Sequence, residues 1–281
     1  MKIGIIGTGL IGGSIALKLK DKNLTKFVYG IDQNEDNLNK ALELKIIDEK
    51  AEFREGVQNS DLIIIAIPVD SARKILPDVL DLINDNQVVM DVGSTKSGIV
   101  DTIKNHPNRK RFVAFHPMWG TENSGPDAAT KDSFAGKAAV ICNREDSDAD
   151  ALELVERVID TLEMHPIYMN ADAHDIHTAY ISHISHITSY ALANTVLEKE
   201  REEDTIFQLA SSGFSSTVRL AKSHPEMWVP IFRQNRDNVL DVLNEHISQL
   251  RKFKSALEKE NFDYLEELIR NANKIRGILD K

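Results

Sequence analysis

A single cysteine, Cys142, occurs in 281 residues, so no internal disulfide can form and a reducing compartment is expected. It closes an apolar run, Ala138 to Cys142, where a thiol reads as buried filler rather than as a nucleophile. Positive charge is scarce as well: 34 Lys and Arg stand against 44 Asp and Glu, a net charge of −10. That deficit argues against a nucleic-acid surface, and any anionic ligand must be met by locally placed cations. The first apolar run opens at Lys2, so no signal peptide is expected. Biased tracts and internal repeats are missing. The least charged stretch, Ile176 to Leu197, has no Asp, Glu, Lys or Arg for 22 residues. Three histidines and several hydroxyl residues inside it argue against a membrane span, and a cytoplasmic location is expected. With 42% hydrophobic and 28% charged residues, the chain has the composition and length of a globular protein with two domains.

An apolar run, Lys2 to Ile6, leads into Gly7-Thr8-Gly9-Leu10-Ile11-Gly12 and then a helical pattern through Ile15, Leu17 and Leu19. This is G-x-G-x-x-G between a strand and a helix. The first glycine permits a tight turn, the second lets a pyrophosphate approach the backbone, and the third lets helix and strand pack closely. The phosphates would face unpaired amides at the helix N-terminus. A second strand, Phe27 to Ile31, ends in Asp32, 25 residues after Gly7. A carboxylate there accepts hydrogen bonds from the adenosine ribose and repels the extra phosphate of NADP. The next arginine is Arg54, so NAD is the expected cofactor. The bland alternative is a glycine turn with an exposed aspartate.

Further apolar runs follow at Asp61 to Ile67, Gln87 to Val92, Arg111 to Phe115, Ala138 to Cys142 and His165 to Met169, with helical patterns between many of them. That alternation predicts a Rossmann-type, doubly wound, mostly parallel α/β sheet over residues 1–170. After Asn170 strands disappear, and an all-helical C-terminal domain is expected over 171–281. One long helix is predicted from His174 to about Glu200, apolar on most sides. Such a helix needs neighbours all round, so a second subunit is expected to cover it. Further helices are predicted at Ser215 to Ser223, at Pro225 to Leu257 with Pro230 breaking or bending its start, and at Asp263 to Ile278.

His116 lies one step past the Arg111 to Phe115 strand, at the sheet edge where open α/β folds bind ligands, and Pro117 is expected to end that strand. With an ordinary pKa near 6.5, it is the candidate base for an alcohol oxidised by a nicotinamide. It could equally be a loop histidine with a structural hydrogen bond. Ser94, after the Gln87 to Val92 strand, could orient His116 and a substrate hydroxyl, or could cap a helix starting near Ser97. Ser182, His183 and His186 fall together on the long helix. Zinc bound there would need a third ligand that no spacing supplies, so a buried histidine facing a ligand cleft is the better reading of His186, and no metal is expected. Arg219 could grip a carboxylate in bidentate fashion, or belong to an intrahelical or subunit-interface ion pair. Trp228 reads as core or interface.

Taken together, Gly7–Ser14, Asp91–Lys96, Phe115–Gly125, Phe134–Lys137, Ser182–His186, Gly213–Trp228 and Ile231–Asn235 resemble the prephenate dehydrogenase family, including its arogenate dehydrogenase members. The resemblance covers essentially the whole chain. It implies that His116 is the catalytic histidine, that Ser94 orients it, and that His186 is a second active-site histidine. It also implies that Arg219 holds a substrate carboxylate, with Ser182 a polar contact beside His186 and Glu122 a loop residue at the site mouth. The expected cofactor contacts are Gly7, Thr8, Gly9, Leu10, Ile11, Gly12, Asp32, Ile67, Pro68 and Ser94. The implied reaction is NAD-dependent oxidative decarboxylation of prephenate, an anionic small molecule, by a homodimer. Ser212, Ser215 and Ser216 depart from residues common in the family and leave the choice between prephenate and arogenate open. No regulatory or chorismate mutase module is expected. A β-hydroxyacid-type dehydrogenase would place a lysine on the long helix, and Ile176 to Leu197 has none. A non-catalytic NAD-binding sensor would bind cofactor without forming NADH from any cyclohexadienol.

Overall fold

Eight strands form one sheet in the order β3-β2-β1-β4-β5-β6-β7-β8 in the computed structural model, which describes residues 1–200 and 205–279. They are β1 (Lys2–Ile6), β2 (Phe27–Ile31), β3 (Glu49–Lys50), β4 (Leu62–Ile65), β5 (Val88–Asp91), β6 (Phe112–Pro117), β7 (Ala138–Cys142) and β8 (His165–Met169). All pairs are parallel except β6 with β7. Consecutive residues of the central strands sort into two cores, as a period of two requires. Ile3, Ile5, Leu62 and Ile64 join α1 (Leu10–Asp21), α2 (Glu35–Glu43) and α6 (Ala149–Thr161) on one face. Ile63, Ile65 and Val89 join α3 (Phe53–Gln58), α4 (Val69–Leu82) and α5 (Ser97–Thr102) on the other. Burial on both faces is why these strands read as unbroken apolar runs. Cys142 lies wholly inside the second core, and burial pushes its thiol up to about 12, so the filler reading holds.

Two details of the sheet differ from expectation. The two-residue β3 carries no apolar signal, being Glu49 and Lys50 joined to β2 by the backbone alone. Strand β6 runs through His116 and Pro117 instead of stopping at Phe115. The reason is the antiparallel neighbour: His116 pairs with Val140, Pro117 with Ala139, and Met118 N donates to Ala138 O. Amides alternate sides along a strand, so the position that proline leaves without N–H faces β5. There the β5–β6 ladder has already ended at Asp91 and Ala114.

The helices from α7 (Ala171–Thr178) through a π turn (Ala179–His183) to α8 (Ile184–Glu200) make one continuous rod. Beyond it lie α9 (Ser212–Thr217), a 3₁₀ turn (Arg219–Lys222) and α10 (Pro225–Gln234). Pro230 sits inside α10 without ending it. The interruption comes at Asn235, whose side-chain amide donates to Asp175 O and contacts His183 Nδ1 at 3.1 Å. The last strand ends at Met169, and contacts divide the chain into Met1–Asn235 and Arg236–Lys281. Side chains tie the helices up to Asn235 onto the sheet: Asp175 accepts from the amides of Lys96 and Ser97, and Asp70 accepts from Arg233 and Gln234. The second unit holds α11 (Arg236–Glu258), α12 (Phe262–Ala272) and α13 (Arg276–Leu279). Leu250, Leu257, Phe262 and Ile278 on it are exposed, as are Ile181 and Leu197 on the long rod of the first. Among the described residues, no helix is long and apolar enough to cross a membrane.

Candidate active site

The carboxyl ends of four neighbouring parallel strands, β1, β4, β5 and β6, carry most of the expected site residues in spatial order. The glycine turn follows β1, Ile67 and Pro68 follow β4, Ser94 follows β5, and His116 ends β6. The order reverses at β1, which lies between β2 and β4, and such a switch point opens a crevice for a dinucleotide.

The glycine turn fits that ligand. Gly7 has φ 98°, and a Cβ there would lie 2.4 Å from Ala66 O; a Cβ on Gly12 would lie 2.3 Å from Gly7 O. These two glycines close the turn and seat α1 against β1. A Cβ on Gly9 would meet nothing nearer than 4.0 Å, so this position leaves room beside the backbone. Gly9 caps α1 and brings no side-chain hydrogen bond to its amides, which stay available to a phosphate. Asp32 Oδ2 accepts from Thr8 N at 3.0 Å and Thr8 Oγ1 at 3.2 Å, and Oδ1 accepts from Asn34 N at 2.9 Å. These bonds fix the carboxylate, whose oxygens can each accept more. Asp32, Ile67 and Pro68 line one cavity of about 1100 Å³. Its five carboxylates (Asp32, Glu35, Glu52, Glu55, Asp78) outnumber its two lysines (Lys50, Lys74), a field that disfavours a second phosphate on the ribose.

His116 is buried. Its Nδ1 lies 2.8 Å from His174 Nε2, and His174 Nδ1 lies 2.8 Å from Asp175 Oδ1. Burial, with His174, Lys96 and His183 nearby, holds the His116 imidazole well below its usual pKa, so it stays neutral at neutral pH. Beside it, wholly buried Lys96 pairs with Asp91 at 2.5 Å. Burial pushes the Asp91 carboxyl up, with Lys96 opposing. Ser94 is half-buried and forms no helix cap: Lys96 occupies the cap position of α5, and Asp175 receives the first amides. Ser94 is therefore left in the loop beside the His116 strand, since Asp91 and Ala114 are ladder partners. The loop after His116 is pinned by Trp119, which packs edge-on against fully buried Phe134 with centroids 5.0 Å apart.

On the long rod, His186 Nδ1 lies 3.1 Å from Ser182 O, so the ring donates there and its other nitrogen is the acceptor. Its ring stacks on Trp228 with centroids 3.4 Å apart. Trp228 is buried in a cluster with Val69 and Ile231, so its core reading stands, while its face also supports an active-site candidate. Burial lowers the His186 pKa, Ser182 O partly restores it, and Arg219 lowers it again, which places the guanidinium within electrostatic reach. Arg219 Nη1 pairs with Glu122 Oε2 at 3.1 Å, joining the 3₁₀ turn to the loop after His116. This ion pair lies within one chain and is not intrahelical. Among the described residues, no three His, Cys, Asp or Glu side chains converge as a metal site. The sequence does not point to Asp175, Lys96 or Asn235 at the site, and it offers His174 only as preceding the Ser182–His186 group, within a disfavoured metal site. The adjacency of His174 and Asp175 was the one available signal.

Burial also pushes His183 down to about 4. Unfolded histidines protonate as pH falls through about 6.5, while native His183 does not until near 4. Between these values the unfolded state binds more protons, so stability is full above the window and drains as pH falls through it. The expected loss from His183 alone is on the order of 3 kcal/mol. Urea midpoints that stay level from pH 7 to 4.5 would contradict a neutral buried His183.

A crevice for a dinucleotide and a neutral histidine on the same sheet edge define a dehydrogenase-type nucleotide-binding fold carrying a helical extension. Residues 15–168 match the family described as prephenate dehydrogenase, nucleotide-binding domain, and residues 170–271 match prephenate dehydrogenase, dimerization domain. The chain belongs to the prephenate dehydrogenase family. It is 32% identical to prephenate dehydrogenase of Bacillus subtilis over 97% of this chain and 74% of that protein. It is 28% identical to cyclohexadienyl dehydrogenase of Zymomonas mobilis over 98% of this chain and 94% of that one. The solved structure of Aquifex aeolicus prephenate dehydrogenase with hydroxyphenyl propionate and NAD+ superposes with a TM-score of 0.91 at 30% identity, covering 99% of this chain and 98% of that one.

Proposed function

We propose that this chain catalyses the NAD-dependent oxidative decarboxylation of prephenate to 4-hydroxyphenylpyruvate, a step towards tyrosine. The observation that carries this reading is the shared sheet edge: the glycine turn, Ser94 and a neutral His116 end neighbouring strands. The hydrogen-bond pattern and open space at Gly9, the uncapped start of α1 and the acidic cavity beside Asp32 suit NAD. Gly7, Thr8, Gly9, Leu10, Ile11 and Gly12 would hold its pyrophosphate, Asp32 its ribose, and Ile67, Pro68 and Ser94 its flanks. Bound NAD supplies the hydride acceptor.

The chain's own residues do the rest. His116 takes the hydroxyl proton of the cyclohexadienol as the hydride leaves the same carbon. The ring carboxylate then departs as carbon dioxide, its bonding pair completing the aromatic ring while the carbonyl oxygen takes the proton back from His116. Ser94 orients the hydroxyl, and Arg219 grips a substrate carboxylate, with Ser182 and His186 beside it and Glu122 at the mouth. Alignment of the two reacting centres is the main service of such a site. The exposed apolar faces of the long rod and of α11 and α12 support a homodimer, and the single buried thiol suits the cytoplasm.

Absorbance of reduced cofactor, followed with prephenate and arogenate against NAD and NADP, tests the reading. NADH formation from prephenate with NAD is expected. Formation from arogenate alone would move the assignment within the family, a change compatible with Ser212, Ser215 and Ser216. No reduced cofactor from either substrate would defeat it.

A further inference from the structure

We infer that His174 and Asp175 are positioning residues that lock His116 in the tautomer with its proton on Nδ1 and its lone pair on Nε2. The inference rests on the reading of His116 as the base and extends it to two residues no part of that reading requires. Asp175 anchors the chain of hydrogen bonds. Its Oδ1 accepts from Lys96 N at 2.8 Å, and its Oδ2 accepts from Ser97 N at 2.9 Å, so the carboxylate is fixed at the start of α5. Burial would raise its pKa, but the His174 ring and the two amides outweigh burial and keep it ionised.

An ionised carboxylate only accepts, so the His174 nitrogen 2.8 Å from Oδ1 must carry a proton. Burial keeps the His174 ring neutral despite Asp175, so its other nitrogen, Nε2, has a lone pair and no proton. That lone pair lies 2.8 Å from His116 Nδ1, which must therefore be the donor. Neutral His116 then has one bare nitrogen, Nε2, and that is the atom available to take a substrate proton. When it does, the imidazolium still donates through Nδ1 into the same partner, so the chain of bonds survives the transfer and no ring has to turn. The opposite tautomer would put two lone pairs face to face at 2.8 Å.

Two variants and one spectrum decide the matter. His174→Phe keeps a ring of similar size without an acceptor, and kcat should fall about 10- to 100-fold with KM for both ligands within about twofold. His174→Gln offers a carbonyl oxygen to His116 Nδ1 and should recover most of kcat. In histidine-labelled wild-type protein, long-range proton–nitrogen spectra should show His116 protonated on Nδ1. Its signal is identified by its loss in His116→Asn. A wild-type His116 protonated on Nε2 would overturn the inference, as would a folded His174→Phe enzyme with unchanged kcat. If His174→Phe does not fold, the wild-type spectrum still decides. A protein that oxidises no cyclohexadienol would defeat the proposed function while leaving the tautomer measurable.

Discussion

Replacing His116 with asparagine lowers turnover by about 10²–10⁴-fold and leaves NAD affinity nearly unchanged, the range expected when a general base is lost. Asparagine is a sharp probe at this position. Its amide can still donate towards His174 Nε2, so the hydrogen bond seen at 2.8 Å has a substitute and the buried strand end keeps a polar partner. What disappears is the basic nitrogen. Apart from Ser94 after β5, the residues proposed to hold NAD follow β1, β2 and β4, so cofactor binding followed by fluorescence should stay nearly level. A variant with unimpaired kcat would remove His116 from the chemistry.

Arg219→Ala is expected to raise KM for the cyclohexadienol about 10- to 100-fold with a smaller effect on kcat, the size of a lost charge-assisted hydrogen bond. The guanidinium is half exposed and already paired with Glu122. An ion pair this exposed contributes little to folding, so the variant should unfold at nearly the wild-type temperature. An incoming carboxylate would compete with Glu122, which lies on the loop after β6, for this guanidinium. Steady-state kinetics with prephenate separates the cases: an unchanged KM would leave Arg219 as the partner of Glu122 and nothing more.

The sheet was legible because its information is local. Apolar runs marked β1, β2, β4, β5 and β7, and the glycine turn declared its own geometry at Gly7 and Gly12. His116 was legible for the same reason, as a polar residue where an apolar strand gives out. The end of β6 was not, because Pro117 is tolerated only through a neighbour on one side and none on the other, a fact of pairing rather than of sequence. The break at Asn235 hides similarly: Pro230 looked the stronger interruption, but a side chain committed to Asp175 and His183 prevails. The pairing of Glu122 with Arg219 spans 97 positions, a separation at which no spacing rule operates.

The π turn at Ala179–His183 has a consequence of aim. A regular helix advances about 100° per residue, so His174 and His183, nine positions apart in the chain, would point to opposite sides of a straight rod. Both rings are nonetheless buried, each 1% exposed, and both bear on His116. The wider turn absorbs surplus winding and brings them round together. Shortening it by a single residue would re-index everything downstream as far as Glu200, and His186 would swing away from Trp228 without any change in its own neighbours along the chain.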